Sequence, residues 1–112
     1  MAIIELTQAN FENQIMEHDL TVVDFWAAWC APCRIFSDIF KRVSEQFADV
    51  LFGKVDIEKQ SELAEAFEIR SIPMLMIFRK NVVVFREAGL VSEAELMKLL
   101  QQAKNLDLEA ST

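Results

Sequence analysis

The cysteines of the chain, Cys30 and Cys33, stand in a single Cys-x-x-Cys motif. Taken alone, this spacing is compatible with half of a zinc site, with a disulfide staple or with a redox-active pair. A disulfide between them would close a very short loop, worth about 2 kcal/mol, whereas a staple normally joins distant segments. A tetrahedral zinc site needs four donors, and His18 is the only histidine. The residues therefore favour redox chemistry over metal binding or stabilisation.

The cysteine pair lies where a predicted strand is followed by a predicted helix. Leu20–Trp26 is a β-rich, mostly apolar run, which is typical of a strand buried on both faces. From about residue 33 to residue 47 apolar side chains recur with helical spacing, and Pro32 precedes them where a first turn tolerates proline. This helix is expected to bury Ile35, Phe36, Ile39, Phe40, Val43 and Phe47.

The remaining patterns predict a mixed fold. Thr7 is expected to cap a first helix over about residues 8–17, and a capping box at 92–95 opens the last helix. Further strands are predicted over 50–57, 74–78 and 82–86, and a short helix over 61–67. Helix-linked strands imply parallel pairing and the hairpin adds antiparallel pairing. We therefore expect an α/β fold with a central mixed sheet of about five strands flanked by about four helices.

Composition indicates one globular domain. The chain has 112 residues, of which 53% are hydrophobic, enough for a core without staples. We expect a single domain over residues 1–112, with a frayed tail over 105–112. The net charge of −7 disfavours nucleic acid as a partner, and no apolar run is long enough to cross a membrane. Because the N-terminus lacks the features of a leader, a cytoplasmic protein is expected.

Residues 29–33, Trp-Cys-Ala-Pro-Cys, closely resemble the active-site segment of thioredoxins, as do residues 23–27 before them. The likeness covers nearly the whole chain, including a Lys-Val-Asp segment at 54–56, an Ile-Pro pair before a strand and a glycine near the end of the hairpin. In this context the motif is specific, and the resemblance implies the thioredoxin fold and a redox-active pair. Ala31 departs from the usual glycine, which allows a specialised relative.

The two cysteines and two charged residues, Asp24 and Lys54, have expected roles in the reaction. Cys30 precedes a helix, whose free N–H groups and positive dipole end stabilise a thiolate, so it is the expected nucleophile. Cys33, one turn further in, would resolve the mixed disulfide by attacking Cys30. On the residues alone, Asp24 is either an acid facing water at a strand end or a buried carboxyl. The resemblance implies that Asp24 exchanges protons with Cys33 and that Lys54 lies near it.

The resemblance also implies a substrate-binding rim. The Ile72–Pro73 bond is expected to be cis and to pack against the cysteine pair, which would turn the backbone of Ile72 toward an extended substrate. Trp29 is expected to form one wall. The complete rim would consist of Trp29, Ala31, Pro32, Ile72, Pro73, Gly89 and Leu90.

The expected function is that of an enzyme that reduces protein disulfides with Cys30 and Cys33. No bound cofactor or metal is expected, because the redox group is the cysteine pair itself, reduced in trans by an NADPH-dependent thioredoxin reductase. Disulfide-containing proteins are the expected substrates, and a monomer is expected. Two alternatives are a thioredoxin-fold binding module with vestigial redox activity, and an oxidant or isomerase of an oxidising compartment.

Overall fold

A computed structural model describes residues 3–106 of the chain, so residues 107–112 of the predicted tail lie outside it. In chain order the elements are β1 (Ile4–Glu5), α1 (Phe11–Glu17), β2 (Leu20–Trp26), α2 (Ala31–Ser44), β3 (Leu51–Asp56), α3 (Ser61–Ala66), β4 (Met74–Arg79), β5 (Val82–Ala88) and α4 (Glu93–Lys104). The strands form one mixed sheet in the order β1-β3-β2-β4-β5. The predicted fold class is therefore confirmed.

The central position of β2 explains its unbroken apolar pattern. It pairs in parallel with β3 on one side and antiparallel with β4 on the other. Successive side chains of a strand point to opposite faces, so β2 contributes to two cores. Leu20 and Val22 join the core under α2 and α4, whereas Val23 and Phe25 join the core that includes Phe11 of α1.

Two predictions about the helices are wrong. The first helix begins at Phe11 rather than residue 8, because Thr7 and Asn10 bond each other in a preceding turn. The Asn10 N–H donates to Thr7 Oγ1 at 3.3 Å, and the Thr7 N–H donates to Asn10 Oδ1 at 2.7 Å. In α2, Ile35 was expected to be buried but is 55% exposed, because the apolar stripe of this helix is wider than the face that the sheet covers.

Two other local features follow the expected chemistry. Ser92 caps α4, its Oγ accepting the N–H of Glu95 at 3.1 Å. The β4–β5 hairpin turns at Lys80, which has a φ of 53° although the turn contains no glycine. The Lys80 N–H donates to the carbonyl of Asp19 at 3.1 Å, which ties the turn to the start of β2.

Candidate active site

The cysteine pair lies at the junction of β2 and α2. Cys30 is the N-cap of α2, with extended backbone angles, and the N–H of Cys33 donates to its Sγ at 3.2 Å. The two residues form a disulfide, with their Cα atoms 5.2 Å apart. Cys30 is 5% exposed and Cys33 is 2% exposed. A sulfur that accepts a helix N-terminal N–H is in the position where a negative charge is best stabilised.

The segment before β4 closes over this pair. The Ile72–Pro73 bond is cis, as the resemblance implies. The carbonyl oxygen of Ile72 lies 3.9 Å from Cys30 Sγ, and Ile72 packs on the small cluster that contains both cysteines. The N–H of Gly89, a residue with a φ of 105°, donates to the carbonyl of Pro73 at 2.8 Å. The cis peptide and the end of β5 are thus joined beside the disulfide.

The proposed rim residues differ in exposure. Trp29 and Leu90 are large apolar side chains that are 65% and 50% exposed. Ala31, Pro32 and Gly89 are exposed, Ile72 is half-buried and Pro73 is buried. The indole Nε1–H of Trp29 donates to Glu58 Oε2 at 3.1 Å, which holds the exposed ring. Glu58 carries no motif that would have identified it in the sequence.

Asp24 lies on the same face of the sheet as Leu20 and Val22, facing α2. Its side chain is fully buried, and neither carboxyl oxygen has a hydrogen-bond partner among the described residues. This burial raises the pKa of Asp24 from 3.8 to about 7, although the nearby Lys54 ammonium acts in the opposite direction. Of the two readings of Asp24 in the sequence, the structure supports the buried carboxyl.

Lys54 stands opposite Asp24 in the paired register of β3 and β2. Its Nζ lies 4.0 Å from Asp24 Oδ2 and 4.9 Å from the centre of the Trp26 ring. The ammonium donates to Ser37 Oγ of α2 at 2.7 Å. Sequence reasoning missed Ser37, since its only distinguishing feature is the position one helical turn after Cys33.

The structure was also searched for metal sites and for membrane-spanning helices. Within residues 3–106, no group of three or more His, Cys, Asp or Glu side chains is placed to hold a metal ion. No helix in that range is long and apolar enough to span a membrane.

Comparisons with known proteins consistently indicate one family. The thioredoxin family model matches residues 2–102. The chain is 44% identical over 106 residues to a putative thioredoxin 2 of Streptomyces coelicolor, covering 95% of this chain and 79% of that protein. It is 40% identical over 105 residues to the thioredoxin of Buchnera aphidicola, covering 92% of this chain and 97% of the relative.

Solved structures give the same result. A mutant thioredoxin from Halobacterium salinarum matches with a TM-score of 0.87 at 26% identity, covering 94% of this chain and 93% of that chain. The oxidised thioredoxin of Plasmodium falciparum matches with a TM-score of 0.81 at 26% identity, covering 90% and 97%. Because the family model and these relatives match nearly the whole chain and a disulfide lies at the start of α2, the chain belongs to the thioredoxin family and is a thiol–disulfide oxidoreductase that reduces protein disulfides.

Proposed function

We propose that Cys30 is the attacking thiolate of this reductase and Cys33 the resolving thiol. The observation that carries the assignment is the N–H of Cys33 donating to Cys30 Sγ at the N-terminus of α2. In the reduced protein the same donor would stabilise a Cys30 thiolate. Cys33 has no such N-cap position and is the more deeply buried of the two. The two sulfurs therefore have different environments, as a two-step exchange requires.

The proposed exchange has two steps. The Cys30 thiolate attacks one sulfur of a substrate disulfide, forming a mixed disulfide and expelling the other substrate sulfur as a thiolate, which takes a proton. Cys33 then loses its proton and attacks Cys30 Sγ. The mixed disulfide breaks, the second substrate sulfur leaves as a thiolate that is protonated, and the Cys30–Cys33 disulfide remains. The substrate gains two electrons and the cysteine pair loses two.

Asp24 is proposed to take the proton of Cys33 in the second step. A base works best when its pKa lies near the operating pH, and burial raises the pKa of Asp24 to about 7. Lys54, with its Nζ 4.0 Å from the carboxyl, favours the ionised form and so keeps the carboxyl able to release a proton near neutrality. Both residues are placed on the α2 side of the sheet, below the helix that carries Cys33.

Substrate is proposed to bind across the exposed rim. The carbonyl of Ile72, 3.9 Å from Cys30 Sγ, is positioned to accept a backbone N–H from an extended substrate segment. The apolar surfaces of Trp29 and Leu90 would contact side chains of the substrate, together with the exposed Ala31, Pro32 and Gly89. The buried Pro73 would contribute through its cis bond to Ile72. Because main-chain pairing carries little sequence information, such a rim accepts many protein disulfides.

Thioredoxins generally use thioredoxin reductase and disulfide-containing proteins as partners. We propose that this chain is recharged by an NADPH-dependent reductase, that it needs no bound cofactor, and that it acts as a monomer in the cytoplasm. A reducing compartment is consistent with the use of both cysteines for exchange, since the chain has no further cysteine for a structural disulfide.

The test is NADPH-dependent insulin reduction with thioredoxin reductase, run on the wild type, Cys33→Ser and Cys30→Ser. We expect turnover only in the wild type, and accumulation of a mixed disulfide only in Cys33→Ser, since that variant attacks but does not resolve. A mixed disulfide in Cys30→Ser but not in Cys33→Ser would reverse the assignment. A natively folded wild type without turnover would instead support the binding module.

A further inference from the structure

The ammonium of Lys54, a residue of β3, is held by groups on two other elements, α2 and β2. It donates to Ser37 Oγ of α2 at 2.7 Å, lies 4.9 Å from the ring centre of Trp26 at the end of β2, and lies 4.0 Å from Asp24 Oδ2. The Lys54 side chain is 22% exposed. The Ser37 hydroxyl is the one contact of the three that is within hydrogen-bond distance.

A lysine in this position has an alternative. Its flexible stem normally lets the ammonium reach water, and the partial exposure of Lys54 shows that water is within reach. At 4.0 Å from Asp24 the ammonium makes no direct hydrogen bond to the carboxyl. The hydroxyl of Ser37 therefore supplies the bond that keeps the ammonium under α2.

We propose that Ser37 is a positioning residue of the reductase: its hydroxyl holds the Lys54 ammonium beside Asp24 and so sets how readily that carboxyl takes and returns a proton. The inference rests on the proposed proton transfer between Asp24 and Cys33. Ser37 follows Cys33 by four residues in α2, so both side chains lie on the same face of the helix. The resolving thiol and the group that positions the lysine thus share one helical face above the carboxyl.

Among residues 3–106, Lys54 is the charged group that acts on the pKa of Asp24. The neighbouring position on β4 is the apolar Leu75, and α4 contributes apolar side chains to this core. On β3, Asp56 points its Oδ1 at the N–H groups of Glu58 and Lys59, at 2.9 and 3.3 Å. At the start of α2 the nearby cysteines are Cys33 and its N-cap Cys30, which do not titrate in the disulfide form. In the oxidised protein, Lys54 is therefore the charge through which Ser37 acts.

The experiment is a titration of the Asp24 carboxyl by carbon-13 NMR in oxidised protein, comparing wild type with Ser37→Ala and Ser37→Thr. Alanine suits a helix interior, so Ser37→Ala tests the hydroxyl rather than the fold. Without the hydroxyl the ammonium moves toward water, and at fixed pH the ratio of protonated to ionised Asp24 rises by about three- to tenfold. Ser37→Thr, which keeps a hydroxyl, restores the wild-type titration.

A double-mutant cycle with Lys54→Met tests whether Ser37 affects the Asp24 carboxyl through the Lys54 ammonium. If Ser37 acts through the ammonium, Ser37→Ala has no further effect on the Asp24 titration once Lys54 is methionine. An unchanged or lowered midpoint in Ser37→Ala, or an equal shift in the Lys54→Met background, overturns the inference.

The pH profile of mixed-disulfide resolution separates this inference from the proposed function. We expect the profile of Ser37→Ala to move to higher pH with the carboxyl titration. If the carboxyl midpoint rises and the resolution profile stays in place, the proposed proton transfer from Cys33 to Asp24 is refuted, while the positioning of Lys54 by Ser37 is upheld.

Discussion

Replacing Asp24 by asparagine is expected to remove a large pH dependence of stability. In the unfolded chain this carboxyl ionises near 3.8, whereas burial raises its pKa in the folded protein to about 7. Between these values the folded state binds more proton than the unfolded state, so the free energy of unfolding falls as the pH rises. The full stability is therefore present only at low pH, where the Asp24 carboxyl is protonated in both the folded and the unfolded state.

The size of the effect follows from the two pKa values. At about 1.4 kcal/mol per pH unit, the difference between 3.8 and about 7 corresponds to about 4 kcal/mol of lost stability above the folded-state pKa. About 2.5 kcal/mol of this loss develops between about pH 5 and about pH 8. A buried asparagine amide also lacks partners, but its cost is independent of pH. The comparison between two pH values therefore isolates the ionisation of Asp24.

The assay is urea unfolding of the oxidised proteins, followed by tryptophan fluorescence at several pH values. Relative to wild type, Asp24→Asn should gain about 2.5 kcal/mol of unfolding free energy between about pH 5 and about pH 8. Asp38→Asn is the matched control, because Asp38 is exposed on α2, and its stability should change with pH in parallel with the wild type. If the stability of Asp24→Asn also changes with pH in parallel with the wild type, burial does not raise the pKa of Asp24.

Two further substitutions test the packing and the rim. Gly53→Ala places a Cβ against the fully buried Leu6 side chain and should lower the free energy of unfolding by about 1–3 kcal/mol; wild-type stability in urea would contradict this. Glu58→Ala removes the acceptor of the Trp29 indole and should raise KM for a protein disulfide about two- to fivefold with kcat unchanged. Glu58→Gln keeps an acceptor, and its KM should stay near that of the wild type. A decrease in kcat alone in Glu58→Ala would contradict a role of Glu58 in substrate binding at the rim.

The predictable parts of the fold are those that depend on the residue pattern of one contiguous segment. The apolar run of Leu20–Trp26 specified a central strand, and the spacing after Cys33 specified the helix that follows it. The location of the cysteine pair at their junction followed directly. The apolar neighbours on both faces of β2 made a buried Asp24 one of the two interpretations that the sequence allowed, and the structure decided between them.

The parts that were not predictable depend on contacts between distant segments. Ser37 meets Lys54 from 17 residues away and Glu58 meets Trp29 from 29 residues away, and neither pair has a spacing that marks it in the chain. The exposure of Ile35 was missed for a related reason. Periodicity gives the apolar face of a helix, but the extent of the sheet that covers this face is set by the tertiary structure.

The cost of Asp24 and its proposed use have the same physical origin. A carboxyl that was exposed or hydrogen-bonded would keep its pKa near 3.8 or lower and would hold no proton at neutral pH. Burial, with no hydrogen-bond partner among the described residues, destabilises the ionised form, and this raises the pKa of Asp24 to a range in which both forms are populated. A carboxyl with such a pKa suits the proposed acceptance of a proton from Cys33 and its return within one catalytic cycle. Lys54, which donates a hydrogen bond to Ser37, limits this rise in the pKa of Asp24. The burial that makes the proposed reversible proton transfer feasible is thus the same burial that lowers the stability of the protein at neutral pH.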